Sequence, residues 1–151
     1  MEDVSGLDAV GDFKLVKGAP GFEDVFLCRL PIEGGALRPG TVRVSASDED
    51  CIAAFSRLCT HMGCHLVRGD SGQLPVTGER ALCLCSCHLS SFDLGRSGVP
   101  VNAPASACLP QVELKRHPAD VNSEIEEVEL VAWMRGGSVP YGLPYGRTSD
   151  V

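Results

Sequence analysis

The 151-residue sequence has little of what marks several large classes of protein. It contains no run of about 20 apolar residues, the length that a membrane-spanning helix needs. No block of Lys and Arg is longer than two residues and the formal net charge is −7, so the clustered positive charge that binds nucleic acid or anionic membranes is missing. The sequence therefore predicts no transmembrane segment and no nucleic-acid partner. An acidic surface suits a basic protein partner, although an ordinary acidic, soluble surface explains the charge more simply.

Helical periodicity and internal repeats are also missing, whereas glycine (17 residues) and proline (10 residues) recur throughout. Short strand-like runs are separated by Gly, Pro and Asp, and several alternate polar with apolar residues, as half-buried strands do. These runs cover residues 24–30, 41–45, 50–56, 81–84, 111–116 and 124–134. The pattern predicts one all-β domain over residues 1–151, folded as an antiparallel barrel or sandwich, with Trp133 in its core.

The eight cysteines are numerous for a chain of this length, and they are clustered. Five of them and three of the four histidines fall within residues 59–88. Disulfide frameworks usually spread their cysteines through a chain, whereas metal sites bring them together in pairs of short loops. The clustering therefore favours a metal site.

Two segments, residues 59–66 (CTHMGCHL) and 85–93 (CSCHLSSFD), each offer one thiolate and one imidazole at close spacing. The four candidate ligands are Cys59, His61, Cys85 and His88. A structural zinc site could use them, but its commonest spacings pair Cys with Cys and His with His. A [2Fe–2S] centre with two thiolates on one iron and two imidazoles on the other takes one Cys and one His from each loop, and the mixed spacing favours it. The third alternative is that the segments hold only disulfides and surface histidines.

The two segments resemble the two cluster-binding boxes of the Rieske family, through Cys-Thr-His-x-Gly-Cys in the first and Cys-x-Cys-His-x-Ser in the second. The resemblance implies a Rieske-type [2Fe–2S] cluster in a cluster-binding subdomain, at about residues 57–106, inserted into a base barrel. The implied ligands are Cys59 and Cys85 on the buried iron and His61 and His88 on the outer iron. The resemblance also implies a disulfide between Cys64 and Cys87 that ties the two loops together.

The same resemblance assigns four further residues to the surroundings of the cluster. Ser90 matches a serine whose hydroxyl donates to a bridging sulfide, and Phe92 stands where bc-type members of the family carry a tyrosine. Pro100 and Pro104 belong to residues 98–105 (GVPVNAPA), which resemble the rigid proline-rich loop that covers the cluster. A plain turn serine and an ordinary proline-rich turn are the alternatives.

Within the family, the sequence resembles the small subunit of bacterial arsenite oxidase, through residues 59–64 (CTHMGC), Leu89, Phe92 and residues 145–147 (YGR). This resemblance implies an electron-transfer subunit that has no catalytic residues of its own and works beside a large molybdopterin subunit. Residues 136–151, rich in Gly and Pro, are the predicted anchor on that subunit. The implied electron acceptor is a c-type cytochrome or a cupredoxin. The alternatives are a free-standing or respiratory-chain (bc-type) Rieske ferredoxin and, more remotely, a zinc-stabilised binding module.

The compartment is inferred from the first residues and from the disulfide. Residues 1–5 (MEDVS) show neither the pattern of a secretory signal nor twin arginine, so either the protein stays in the cytoplasm or an export signal has been removed. A disulfide beside the cluster favours an oxidising compartment. We expect the periplasm, with the cytoplasm as the alternative.

Three further expectations concern residues outside the ligand set. The four remaining cysteines are predicted to be small buried hydrophobic residues or, alternatively, to hold a second disulfide. They are Cys28, Cys51, Cys83 and Cys108. His65 is predicted to be a surface residue without a role. The 23 residues between His61 and Cys85 leave room for an added hairpin at residues 70–79.

Overall fold

The computed structural model describes most of the chain, and its regular structure is almost entirely strand. The described residues are 1–32, 35–60, 63–74, 76–77, 81–85, 87, 90–102 and 107–134. Their strands are β1 (Glu2–Asp3), β2 (Asp12–Leu15), β3 (Val25–Pro31), β4 (Val42–Arg43), β5 (Asp50–Ser56), β6 (Ser71–Gln73), β7 (Val76–Thr77), β8 (Leu82–Leu84), β9 (Ser91–Asp93), β10 (Val99–Asn102), β11 (Gln111–His117) and β12 (Glu127–Trp133). A 3₁₀ helix, Leu94–Arg96, follows β9. In this part of the chain no helix has the length and apolar character needed to cross a membrane.

The strands form two antiparallel sheets. In the larger sheet the strand order is β1-β12-β11-β5-β3-β2-β6, with β4 added beside β5, and in the smaller sheet it is β10-β9-β8-β7. Every strand pair among the described residues is antiparallel, which confirms the predicted all-β antiparallel class. The smaller sheet lies within residues 57–106, the range that the resemblance assigns to the cluster-binding subdomain. That division of the chain stays a prediction.

The core lies on both faces of the paired central strands β3 and β5. Along β3, Phe26 packs into one hydrophobic group, and its neighbours Val25 and Leu27 pack into another. Because successive side chains of a strand point to opposite faces, a strand buried on both faces has a continuous apolar sequence. The first group also contains Cys59 and Cys85. The two predicted cluster loops therefore begin on the main core of the protein.

All six strand-like runs of the sequence overlap a strand of the structure. The other six strands are β1, β2, β6, β7, β9 and β10, and each has only two to four residues. A run that short shows too little alternation to be recognised in a sequence. Pairing with neighbouring strands, rather than local preference, creates these strands.

The hairpin predicted at residues 70–79 is wrong. The two strands of this segment belong to different sheets, because β6 pairs with β2 and β7 pairs with β8. Between them, the Leu74 side chain is buried and its amide donates to the carbonyl of Gly11 at 2.8 Å. Burial of this leucine in the core carries the segment from one sheet to the other instead of folding it back on itself.

The expected burial of Trp133 is also wrong. Its side chain is 42% exposed at the end of β12, where its indole N–H donates to the carbonyl of Gly21 at 3.1 Å and its ring contacts Phe22. Among the described residues, β1 pairs with β12 only at Glu127 and Val128. The second half of β12 therefore borders the sheet, and its apolar residues are only partly covered.

Arg116 is a charged side chain inside the fold, only 7% exposed. It lies on β11, where buried and exposed residues alternate, and it occupies a buried position. Its guanidinium donates to five backbone carbonyls, those of Arg43, Val44, Pro118, Asp120 and Ser123. The hydrogen bonds join the loop after β11 to residues 43–44, at the end of strand β4. Arg116 is therefore a structural cation whose donors are used by the backbone.

Candidate metal centre

The first predicted cluster loop is closed by backbone hydrogen bonds between its two arms. The amide of Leu66 donates to the carbonyl of Arg57 at 2.6 Å, and the amide of Cys59 donates to the carbonyl of Cys64 at 2.7 Å. At the tip, Gly63 donates to Cys59 at 2.8 Å and has φ +75°, a left-handed conformation that favours glycine. This explains why the motif needs a glycine before its second cysteine.

The second loop connects β8 to β9 and is closed in a similar way. The amide of Cys85 donates to the carbonyl of Ser90 at 2.6 Å, directly beyond the strand pair Leu84↔Ser91. Cys85 and Ser90 are both fully buried. The hairpin therefore fixes the predicted ligand at the base of the loop, where the two strands end.

A disulfide between Cys64 and Cys87 joins the two loops, with their Cα atoms 6.5 Å apart. This is the pairing that the resemblance implied. Cys59 and Cys85 keep their thiol groups and are 4% and 0% exposed. Of the four cysteines in the motifs, two therefore form a disulfide and two are buried thiols.

Cys83 lies near both of these thiols. Burial, together with the nearby Cys85 and Cys59, raises the pKa of the Cys83 thiol to about 12. Both predicted ligands thus lie close enough to Cys83 to interact with it electrostatically, inside a low-dielectric core. Two buried thiols on loops tied by a disulfide fit the two-thiolate side of a [2Fe–2S] cluster. His61 and His88, the predicted ligands of the outer iron, lie outside the described residues.

The four other cysteines are buried and keep their thiol groups, which confirms their prediction as small hydrophobic residues. They are Cys28, Cys51, Cys83 and Cys108. Burial also raises the pKa of Cys51 to about 11 and that of Cys28 well above its ordinary value, so both stay protonated at neutral pH. The alternative of a second disulfide among the four is not found.

Phe92 and Pro100 pair with each other in the smaller sheet. Phe92, on β9, pairs with Cys83 on one side and with Pro100 of β10 on the other, and all three are buried. The first half of the predicted proline-rich loop is therefore a strand, β10. Pro100 is tolerated there because β10 is an edge strand of its sheet. Pro104 lies outside the described residues, and the covering role of the loop stays a prediction.

Two motif residues for which the sequence predicts no role of their own help to position the site. The hydroxyl of Thr60, inside the first loop, donates to the carbonyl of Ala107 at 3.0 Å and so holds the chain that follows residues 103–106. Gly98 has φ +76°, and a Cβ there would lie 2.8 Å from the carbonyl oxygen of Leu109. Neither role is visible in the sequence, because each depends on a partner from another part of the chain.

Ser90→Ala is expected to lower the reduction potential of the cluster. A hydrogen bond from a hydroxyl to sulfur is stronger when the cluster is reduced and electron-rich. Losing about 1 kcal/mol of that difference lowers the potential of a one-electron centre by about 40 mV. Protein-film voltammetry measures the change. Ser91→Ala is the control, since adjacent side chains of an extended chain point to opposite faces.

In the same measurement, Phe92→Tyr is expected to raise the potential by a similar amount, because it introduces a hydroxyl beside Cys83 and the cluster ligands. An unchanged potential in both Ser90→Ala and Phe92→Tyr would contradict their assignment to the cluster surroundings.

Comparison with known proteins decides the family. A family model described as the Rieske [2Fe-2S] domain matches residues 34–113, which is more than half of the chain. The chain belongs to the Rieske [2Fe–2S] family. As a Rieske protein it carries a [2Fe–2S] cluster and transfers electrons.

Curated relatives of this Rieske protein include subunits of two kinds of complex. The iodate reductase subunits IdrB of Denitromonas iodatirespirans and of Pseudomonas sp. (strain SCT) are 36% and 35% identical over 73 and 75 residues, which are 46% and 50% of this chain and 35% and 36% of theirs. The cytochrome bc1 complex Rieske iron-sulfur subunit of Corynebacterium diphtheriae is 36% identical over 63 residues, 40% of this chain and 13% of its own. The chain thus matches only 13% to 36% of the length of these relatives.

Proposed function

We propose that this chain is the Rieske subunit of an oxidoreductase of the arsenite oxidase type and passes single electrons from a large molybdopterin subunit to a c-type cytochrome or a cupredoxin. The observation that carries the proposal is the similarity to two IdrB subunits of iodate reductase over about half of the chain. It supports a role as one subunit of an enzyme that acts on an oxyanion. Leu89, Phe92 and residues 145–147 support the arsenite oxidase type, through the resemblance noted in the sequence.

The number of electrons released by arsenite also requires a partner subunit. A [2Fe–2S] cluster cycles by one electron, whereas the oxidation of arsenite releases two. A second centre that accepts an electron pair is therefore needed, and the large subunit supplies it. This chain receives the electrons singly and has no substrate chemistry of its own.

The residues of the chain bind and shield the cluster. Cys59 and Cys85 would hold its inner iron, and their burial in the main core keeps water from the thiolates. His61 and His88 would hold the outer iron. The bound cluster supplies the redox step, and hydrogen bonds from the two loops set its potential.

The compartment proposed for this subunit is the periplasm. The support is the Cys64–Cys87 disulfide beside the cluster, because such bonds persist in oxidising compartments and are rare in the cytosol.

A bc-type respiratory Rieske subunit is the second candidate function. Its support is the 36% identity over 63 residues to the Corynebacterium diphtheriae subunit. In that case a quinol, and not a molybdopterin subunit, would reduce the cluster.

The test is to co-express the chain with the proposed molybdopterin subunit and to follow the Rieske signal by electron paramagnetic resonance. Arsenite is expected to reduce the cluster in the complex but not in the chain alone. The chain without residues 136–151 is expected to bind the large subunit more weakly.

Three results would redirect the proposal. If iodate reoxidises a prereduced cluster while arsenite has no effect, the complex is a reductase. If only a quinol reduces the cluster, the bc-type function is the better one. A chain that oxidises arsenite alone would contradict the proposal directly.

A further inference from the structure

The negative charge of the protein is distributed unevenly along the chain. Residues 57–112 contain three Asp and Glu and four Arg, so they carry a net charge of +1, whereas the rest of the chain carries −8. Of those three acids, Asp93 is 1% exposed and Asp70 pairs with Lys17 at 2.6 Å. Residues 57–69, which include the first cluster loop, contain two Arg and two His and no acid. The part of the chain that holds the cluster is therefore basic within an acidic protein.

Some of these basic residues line an open cleft of about 400 Å³ beside the disulfide. It is lined by Arg57, Cys64, His65, Arg68, Gly69 and Cys87. The side chains of His65, Arg68 and Cys87 are exposed. The cleft thus presents two guanidinium groups and an imidazole on the outer side of the bond that ties the two cluster loops.

The backbone of the first loop holds these residues in place. Leu58 and His65 pair as an isolated β-bridge, next to the hydrogen bond from Leu66 to the carbonyl of Arg57. The Arg57 guanidinium is partly neutralised by Asp24 at 3.3 Å. Arg68 makes no ion pair with any residue that the structure describes. Arg68 is therefore the cation of the cleft with most capacity for an external anion.

We propose that this cleft is the docking site for a carboxylate-bearing face of the protein that accepts the electron. Guanidinium groups bind carboxylates through paired hydrogen bonds, so Arg57 and Arg68 suit acidic side chains of a partner. The cleft adjoins the loop that carries Cys59 and His61, so docking there brings the acceptor to the cluster. The proposal rests on the electron-transfer function, and adds to it the chemistry of the partner's surface.

Near the cleft, the local charge matters more to an approaching protein than the net charge does. The net charge of −7 by itself favours a basic partner. At about 0.1 M salt, however, charges more than about 10 Å away are largely screened. An approaching acceptor near the cleft therefore encounters mainly the guanidinium charges of Arg57 and Arg68, which steer an acidic surface into contact.

The test is stopped-flow electron transfer from the reduced, cluster-loaded chain to an acidic cupredoxin, used in its native form and after amidation of its surface carboxylates. The rate constant with the native cupredoxin is expected to fall as salt is added, and amidation is expected to lower it at low salt. Arg68→Gln is expected to lower it about threefold, the effect of one unit charge a few ångströms away in a water-like medium. Arg68→Lys, which keeps the charge, is expected to restore most of the rate.

Lys115→Gln is the matched control, because it removes the same charge from an exposed position on β11 and is expected to leave the rate constant unchanged. Unaltered reduction potentials in both variants show that only docking has changed. A faster reaction with the amidated cupredoxin, or equal losses in Arg68→Gln and Lys115→Gln, would overturn the docking site. Either result would leave electron transfer by the chain unaffected. The proposed complex fails separately, if no large subunit reduces the cluster, and that failure would not alter these rates.

Discussion

Cys85→Ser and Cys59→Ser are each expected to yield protein with almost no iron. Both thiols are buried in the main core, where a serine hydroxyl cannot replace a thiolate as an iron ligand. A two-iron cluster that lacks one of its four protein ligands is not retained. His61→Ala and His88→Ala are expected to have the same result. Iron and acid-labile sulfide content, together with the visible absorption of the cluster, measure the loss.

Cys83→Ala is the matched control for this prediction. Cys83 is as buried as Cys85 and lies two residues before it, but it is not a predicted ligand. The variant is expected to keep its iron. Replacing Cys64 and Cys87 together by serine is expected to leave the cluster assembled, while iron is released faster because the loops are no longer tied. Loss of all iron from this double variant, with a normal cluster in Cys59→Ser, would show that the ligands have been assigned wrongly.

Arg116→Met is expected to lower the free energy of unfolding by about 3 to 5 kcal/mol. Methionine fills similar space but donates no hydrogen bond, so five backbone carbonyls around β4 and the loop after β11 lose their common donor. Urea unfolding of the cluster-loaded protein, followed by circular dichroism, measures the change. Arg116→Lys is expected to be intermediate, since an ammonium group reaches fewer of the carbonyls.

Lys115→Met is the control for the loss of a cation, because it makes the same change of charge at the position just before Arg116. Lys115 is exposed on β11, and its substitution is expected to change the free energy of unfolding by less than about 0.5 kcal/mol. Equal effects of Arg116→Met and Lys115→Met would show that the buried hydrogen bonds add nothing to stability.

The chemistry of the candidate site could be predicted from the sequence because it depends on short spacings. Predicted ligands two or three residues apart, such as Cys59 and His61, share one loop whatever the rest of the chain does. The same holds for the central strands, because β3 and β5 are buried on both faces and so have continuous apolar sequences.

The predictions that failed concern contacts between distant segments. Residues 70–79 were expected to form a hairpin, but they cross between the sheets because β6 pairs with β2. Trp133 was expected in the core, but it lies at the end of β12, beyond the two residues that pair with β1. In both cases the local sequence was compatible with either outcome, and a partner far along the chain decided between them.

The sequence by itself thus determined the family, the cofactor and the all-β class of this protein, because motif spacing and apolar alternation are local properties of a chain. Only the tertiary structure decided what surrounds the cluster loops. It placed Phe92 between Cys83 and Pro100, turned Arg116 inward to five carbonyls, and gathered Arg57, His65 and Arg68 around one cleft. These arrangements join residues that are far apart in the sequence or on opposite arms of a loop. Their energies come from packing and hydrogen bonds that exist only after the chain has folded.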